Sequence, residues 1–198
     1  GAGLGGGAVA GGGITFIQAV NVINTGSVTS KVIPITIAQA GNQIVVFGRL
    51  GTGTAPTCAD DTGSTWSAAT LAGTGGSAKA LKCHTLSAAG AGYPKVVNVT
   101  VSWTSGNANV IFFASEWSGI TTVDAADVTG TQTANTAWTL PNITTTATGV
   151  TIGVGANGTI NDTFTAGGSY TIPTNGQQVS GVVACAFFEY LLTSAGSQ

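Results

Sequence analysis

The residues of this 198-residue chain that could do chemistry are few and scattered. The single histidine, His84, directly follows Cys83, and a Cys–His dyad would need the two side chains to converge. Both residues lie in a predicted strand, where successive side chains point to opposite faces, so this spacing argues against a dyad. The sequence offers no other catalytic motif. We therefore expect a protein that is not an enzyme and needs no cofactor.

The paired carboxylates Asp60 and Asp61 are the next candidates for chemistry. Two carboxyl groups that flank a cleft could hydrolyse a glycosidic bond. With Thr62 and Ser64 beside them, they are also a weak candidate for a Ca²⁺ site, because Ca²⁺ takes carboxylate and carbonyl oxygens. Aspartates in such turn-rich segments more often stabilise the turn itself, and we expect that role and no metal site.

Glu116 and Glu189 are placed inside apolar segments. A buried carboxylate must be hydrogen-bonded or paired. We expect each of them to tie down a loop or to face Arg49 or a lysine, and not to catalyse.

The three cysteines are Cys58, Cys83 and Cys185. We predict a disulfide between Cys58 and Cys83, because they flank one predicted hairpin in a chain that we expect to be exported. Cys185 lies in the apolar run VVACAFFEY and is predicted to be a buried free thiol. Three cysteines and one histidine do not have the spacing of a zinc site.

Charged residues make up only 6% of the chain, against about 25% in ordinary soluble domains. The five basic residues are scattered, which gives no electrostatic footprint for nucleic acid. No stretch reaches the roughly 18 unbroken apolar residues of a membrane span. So few charges are typical of a surface that is packed against neighbours, glycosylated, or both. The alternative is a thermophilic or secreted protein whose Thr and Ser hydroxyls keep its surface hydrated.

Contacts with glycans are suggested by two weak signals. Four Asn-x-Ser/Thr sequons are candidate glycosylation sites, namely Asn98, Asn142, Asn157 and Asn161. Trp138, in ANTAWTLPN, is the tryptophan that we expect to be exposed and able to stack on a sugar ring. Trp103 and Trp117 are predicted to lie in the core.

The elements that must position these residues are strands. In KVVNVTVSW, Val97, Val99, Val101 and Trp103 alternate with polar residues, which predicts a strand with one face buried. NQIVVFGRL and NVIFFASEW are apolar on both faces and are predicted to be central strands that are covered on both sides or face a partner. Pro34 places its strand at an edge or a bulge.

About ten such strands, separated by turn clusters, predict an all-β fold. We expect a two-sheet antiparallel β-sandwich, jelly-roll-like, as a single domain over residues 14–198. Residues 1–13, with eight glycines, precede it as a glycine-rich arm.

Several segments resemble a β-sandwich domain of bacterial secreted proteins and phage structural proteins, in which a D-x-x-G-N-x-W hairpin is followed by an E-[YW]-S-G strand end. They are DDTGSTW, ASEWSGI, FTAGGSYTI and FFEYLLTSAGS, and the resemblance covers roughly Ile14 to Ser197. The matching residues are Asp61, Gly63, Trp66, Glu116, Trp117, Gly119, Tyr170, Glu189 and Tyr190. The resemblance implies no reaction. It also implies one more strand after the A-G-S turn, so either that segment has been lost or the closing strand comes from elsewhere.

The glycine-rich arm has three interpretations: a flexible leader, a hinge to an anchor, or an arm that lies in a neighbouring subunit. We favour the third, because glycine lets one backbone lie close against another and an extended arm can add to a sheet edge. The arm would then hold on through Leu4, Val9, Ile14 and Phe16.

The function expected from these observations is a structural subunit, outside the cytoplasm, that assembles with other copies of itself. It would be part of an extracellular filament, of a cell surface or of a virion. The alternative is a secreted carbohydrate-binding or adhesive module.

Overall fold

The computed structural model describes residues 13–50, 56–68, 70–72, 79–84, 92–107, 110–120, 131–133, 137–139, 144–145, 149–157, 164–166, 168–179, 185–193 and 196–197. Its strands are β1 Thr15–Asn24, β2 Val28–Ile37, β3 Gln43–Leu50, β4 Thr57–Asp60, β5 Thr70–Ala72, β6 Lys79–His84, β7 Lys95–Asn107, β8 Val110–Ser118, β9 Thr131–Thr133, β10 Ala137–Thr139, β11 Thr144–Thr145, β12 Gly149–Asn157, β13 Gln177–Val179, β14 Cys185–Thr193 and β15 Gly196–Ser197.

All the strand pairs in these ranges are antiparallel. Sheet 1 has the order β1-β8-β3-β6-β5, sheet 2 the order β2-β7-β4, and sheet 3 the order β12-β14-β13. Two short pairs, β9 with β10 and β11 with β15, complete the pattern. The all-β sandwich that the sequence predicts is confirmed. None of the described residues belongs to a helix long and apolar enough to cross a membrane.

The sandwich is formed by sheets 1 and 2. From β1 to β4 the chain alternates between them, and it does so again from β6 to β8. Their inner faces meet in the larger hydrophobic core, to which sheet 2 contributes Ile33, Ile35, Ile37, Val97, Val99, Val101 and Trp103 and sheet 1 contributes Ile44, Val46, Leu50, Val110, Phe112 and Ala114. The predicted core face of β7 is therefore confirmed. Asn98, Thr100 and Ser102 lie on its other face and are half-buried.

A third layer covers the other face of sheet 1. Ala19, Val45, Phe47, Ile111, Phe113 and Trp117 form a second core there, against which Val150, Ile152 and Tyr190 of sheet 3 pack. Strands β12 and β14 both contact β3. This is why every residue of β3 is buried, as is all of β8 up to Trp117. The prediction that these two strands are covered on both sides is confirmed.

Pro34 lies in β2, at the edge of sheet 2, as predicted. It is opposite Asn98, whose backbone N–H donates to Asp61 on the β4 side and not to β2. Because Asn98 makes no N–H bond toward β2, the missing donor of Pro34 faces the open edge and costs no ladder bond.

Candidate functional site

The polar loop after β4 is organised by Asp60. Its Oδ1 accepts hydrogen bonds from the Thr62 backbone N–H at 2.8 Å, the Thr62 hydroxyl at 2.7 Å and the Ser64 N–H at 3.2 Å. Its Oδ2 accepts the indole N–H of Trp66 at 2.8 Å. Gly63 adopts φ +74°, a value that favours glycine, and completes the turn. Both carboxylate oxygens are therefore occupied by donors.

These donors decide the ionisation of the carboxyl group. Desolvation by partial burial acts to raise the pKa of Asp60, but the hydrogen bonds from Thr62, Trp66 and Ser64 outweigh it and lower the pKa to about 2. Asp60 is therefore a permanently charged acceptor at neutral pH. A general acid or base needs a pKa near the working pH, so this group is poorly suited to proton transfer.

Asp61 points to a different partner. Its Oδ1 accepts the backbone N–H of Asn98 at 3.0 Å and its Oδ2 accepts the Asn98 Nδ2 at 2.7 Å, and these bonds lower the pKa of Asp61. The two adjacent carboxylates thus serve two separate sets of donors. This arrangement does not suit the weak Ca²⁺ site suggested for Asp60 and Asp61, because Ca²⁺ would need the carboxylate lone pairs that already accept hydrogen bonds. Within the described ranges, no three His, Cys, Asp or Glu residues form a group that could hold a metal ion.

Glu116 is fully buried and ties three segments together. Its Oε1 accepts the Ala38 backbone N–H at 2.8 Å and the Asn42 Nδ2 at 2.6 Å, and its Oε2 accepts the Gln18 Nε2 at 2.7 Å. Ala38 and Asn42 bound the turn from β2 to β3, so the loop-tying role expected for Glu116 is confirmed. This carboxylate has no exposed surface, and its three donors hold it between β1 and the turn that follows β2.

Two further ionisable side chains respond to these surroundings. Burial lowers the pKa of Arg49, which is 5% exposed. Partial burial raises the pKa of Tyr93, and the negative charges of Asp60 and Glu116 raise it further. The pKa of Tyr93 is shifted away from neutral pH, and an arginine stays protonated in proteins, so neither side chain becomes an acid or base that could act there.

Cys58, on β4, is disulfide-bonded. The two other cysteines lie on β6 (Cys83) and β14 (Cys185), and β4 contacts β6. The pairing with Cys83 stays a prediction. Along β6, Cys83 is opposite Val46 and His84 is opposite Val45, and these two valines belong to the two different cores. Cys83 and His84 therefore occupy register positions on opposite faces of sheet 1.

Three of the four tryptophans lie in the core or pack against it. Trp103 is 5% exposed and Trp117 is fully buried, as predicted. Trp66 is half-buried, packs against the larger core and is held by Asp60. Trp138 lies in β10, and its side chain is outside the described part of the structure. Sugar stacking at Trp138 therefore stays a prediction.

Ile14 and Phe16 pack within their own chain, and their expected contact with a neighbouring copy stays a prediction. Both are partly buried and pack against the second core of their own chain. The Phe16 ring stacks on Tyr190 with centroids 5.2 Å apart and meets Trp117 edge-on at 5.2 Å. These aromatic contacts favour an intrachain position for the start of β1. The other two arm residues, Leu4 and Val9, lie outside the described residues.

The sequons fall in unequal surroundings. The Nδ2 atom of Asn98, to which a glycan would be attached, already donates to Asp61, so modification of the folded chain would break that bond. Asn157 is in β12, and its side chain is not described. Asn142 and Asn161 lie outside the described residues.

The outer face of sheet 2 forms a surface that no local sequence pattern indicates. We define it by the outward residues of its three strands: Ser30, Val32, Pro34 and Thr36 of β2, Val96, Asn98, Thr100 and Ser102 of β7, and Thr57 and Ala59 of β4. None of them is charged. Val32 is 47% exposed and Val96 54% exposed, and both count among the exposed large hydrophobic residues of the described chain.

At the edges of sheets 1 and 2, amide side chains form hydrogen bonds with backbone groups. Gln18 of β1 donates to the Thr36 carbonyl of β2. At the edge of sheet 1, Asn175 donates from Nδ2 to the Ala19 carbonyl at 3.1 Å, and Asn21 donates to the Asn175 carbonyl at 3.1 Å. Bonds of this kind reduce the number of backbone groups that another strand could use.

Sequence reasoning missed these amide partners. The sequence marks Asn98 as a sequon residue on the polar side of β7, and no pattern marks Gln18 or Asn42. Only Asn175 carried a local signal, because an Asn-Gly pair favours a left-handed turn and Asn175 has φ +62°. The other three act across long sequence separations, which a local pattern does not report.

Comparisons with family models, with curated proteins and with solved structures each find no match to this chain.

Proposed function

We propose that this chain is a non-enzymatic structural subunit that assembles with copies of itself outside the cytoplasm, in an extracellular filament, on a cell surface or in a virion. The observation that carries the proposal is the scarcity of charge at the surface. The chain has only five basic and seven acidic residues. Of these, Arg49 and Glu116 are buried, and Asp60 and Asp61 are engaged by nearby donors.

A protein that must stay dispersed normally keeps a surface rich in charges of both signs. A surface with so few charges does little to oppose association, and contact with other copies would cover its exposed valines. The polar clusters described above have structural partners, which supports a structural role over a catalytic one. The disulfide at Cys58 supports a place outside the cytoplasm, because disulfides persist in oxidising compartments.

The test is the size of the full chain in solution. Sedimentation velocity and negative-stain electron microscopy over a range of concentrations should show oligomers, fibres or particles instead of a 19.3 kDa monomer. Because the contacts would be uncharged, raising the salt from about 0.1 M to about 1 M should not dissolve the assemblies, whereas ion-pair contacts would be screened. A monomer at every concentration would overturn the proposal, and glycan binding by that monomer would favour the carbohydrate-binding module.

A further inference from the structure

The turn that leads into β13 is hydrogen-bonded to the edge of β1. Its Gly176 backbone N–H closes the turn by donating to the Pro173 carbonyl at 2.8 Å. Asn175 donates from Nδ2 to the Ala19 carbonyl at 3.1 Å, and Asn21 donates from Nδ2 to the Asn175 carbonyl at 3.1 Å. This turn, called the Asn175 turn below, therefore joins the segment before β13 to the outer edge of sheet 1.

The Asn175 turn requires both residues of its Asn-Gly pair. Asn175 has φ +62°, a left-handed conformation that asparagine and glycine tolerate better than other residues. Gly176 is buried, and a Cβ atom there would lie 2.6 Å from the Pro173 Cδ atom. Asparagine is a chemically labile residue, and most of all before glycine, which has no side chain to keep its backbone nitrogen away from the asparagine Cγ atom. The fold therefore retains a labile pair at this position.

We propose that Asn175 is a site of spontaneous deamidation, and that the reaction proceeds only when the Asn175 turn separates from β1. The Gly176 nitrogen attacks the Asn175 Cγ atom, and the new C–N bond closes a succinimide ring. The proton of the Gly176 nitrogen leaves with the side-chain NH₂ group as ammonia. Water then opens the ring and produces aspartate or isoaspartate. The reaction needs water and no oxidant or reductant.

Hydrogen bonds hold both reacting nitrogens while the turn is closed. The attacking nitrogen of Gly176 donates its proton to Pro173, and the leaving nitrogen of Asn175 donates to Ala19. The side chain of Asn175 must give up the Ala19 carbonyl before its Cγ atom can meet the Gly176 nitrogen. Asn175 is exposed to water, so these bonds protect it and burial does not. Only the fraction of molecules in which the turn is open can react.

The product cannot restore the closed turn. A carboxylate only accepts hydrogen bonds, so at position 175 it would face the Ala19 carbonyl, a second acceptor, with no proton between them. Isoaspartate also adds a carbon atom to the backbone of a turn that is closed by one hydrogen bond. With either product, the Ala19 carbonyl becomes available to another strand at the edge of β1. Deamidation would therefore release the turn from β1 irreversibly.

The first experiment compares the reaction in the folded and unfolded full chain. The protein is kept in mildly alkaline buffer, with and without urea, and chymotryptic peptides are analysed by mass spectrometry for conversion of amide to acid. Asn157, which also precedes a glycine, is the internal standard, and it should react as fast as Asn175 in urea. Without urea, Asn175 should react at least about tenfold more slowly than in urea. No reaction at Asn175 in urea would overturn the site, and equal rates with and without urea would overturn its protection by the fold.

The second experiment asks whether β1 controls the rate. Asn21→Ala removes the bond to the Asn175 carbonyl and should speed deamidation of the folded chain roughly fivefold. Asn24→Ala is the matched control, because it removes another amide of β1 that donates to Gly26 and not to the turn, and it should leave the rate unchanged. Near-ultraviolet circular dichroism checks that both variants fold. Equal rates in the two variants would show that β1 does not control the reaction.

The third experiment examines the product. Asn175→Asp carries the aspartate that deamidation would leave, and its backbone amides over residues 171–176 should exchange hydrogen several-fold faster than those of the native chain. Exchange in β7 should not change. Thr174→Asp places a carboxylate on the neighbouring exposed residue without removing the amide, and it should exchange as the native chain does. If Asn175→Asp also exchanges as the native chain does, the release of the turn is wrong.

Discussion

Asp60 shows how one side chain can organise a loop without doing chemistry. It accepts two backbone N–H groups, one hydroxyl and one indole N–H over six residues of sequence. An ionised carboxylate that accepts several such bonds is more stable folded than unfolded. The stability of the folded loop therefore depends on pH in the acid range.

The sign of that coupling follows from the lowered pKa. A carboxyl group whose pKa falls from 3.8 to about 2 on folding contributes stability above pH 3.8, and the contribution is lost as the pH falls toward 2. For this half-exposed group the contribution is about 1–2 kcal/mol after solvent screening. In Asp60→Asn, the amide would point N–H groups at donors, which should lower the free energy of unfolding by about 1–3 kcal/mol at pH 7.

Urea unfolding, followed by tryptophan fluorescence at several pH values, measures both effects. The native chain should lose stability between pH 4 and pH 2, and Asp60→Asn should lose less over that interval. Asp61→Asn is the matched control, because it changes an exposed carboxylate with two donors and should cost less at pH 7. Equal pH dependence in the native chain and in Asp60→Asn would contradict the assignment.

At the scale of the element, β3 shows how burial on both faces restricts the residues that a strand can contain. It lies between β8 and β6 and is buried on both faces. Gly48 is opposite Phe112 on β8, and a Cβ atom there would overlap the Ile111 carbonyl oxygen and the Phe112 ring. The glycine is required by close approach, and not by an unusual backbone angle.

Replacing this glycine should therefore damage the central sheet. In Gly48→Ala the obstacle includes backbone, which cannot move aside without shifting β8. We expect a loss of about 3 kcal/mol or more in the free energy of unfolding, from urea denaturation.

Gly26→Ala serves as the control for Gly48→Ala. The nearest atom to its added Cβ would be the Asn24 Nδ2 at 3.9 Å, so the substitution should change stability by less than about 0.5 kcal/mol. A Gly48→Ala chain as stable as Gly26→Ala would show that β3 and β8 are less tightly paired than the structure has them.

At the scale of the whole molecule, the described strands form a stack of three sheets, and sheet 1 lies between the other two. The chain alternates between sheets 1 and 2 in its first half, whereas all three strands of sheet 3 come from its second half. Cys58, on β4 of sheet 2, is disulfide-bonded, so a covalent link begins at this sheet. We predict that its partner is Cys83 on β6, which would join sheet 2 to sheet 1 at strands that contact each other.

Mass spectrometry of unreduced peptides tests that pairing. A peptide pair containing Cys58 and Cys83 is expected, with Cys185 alkylated as a free thiol in the denatured, unreduced chain. Closing a loop of about 25 residues should stabilise the fold by about 3 kcal/mol, so reduction should lower the urea midpoint. The Cys185→Ser chain should keep its bridge, and a peptide pair linking Cys58 to Cys185 would refute the prediction.

The sequence by itself determined the features that depend on local pattern. Alternation in β7 predicted the buried set from Val97 to Trp103, because strand side chains alternate between faces wherever the strand lies. Apolar runs with no polar side predicted that β3 and β8 are covered twice. Pro34 predicted an edge, since a missing N–H is tolerated best there.

Only the tertiary structure decided which segments meet. Asp61 and Asn98 are 37 positions apart and Asn42 and Glu116 are 74 apart, and neither pair shares a local pattern. The outer face of sheet 2 likewise depends on the registers of β2 and β4 on β7, which bring its residues into common rows. The physical reason is that periodicity belongs to one strand, whereas partners and register depend on how distant strands pack together.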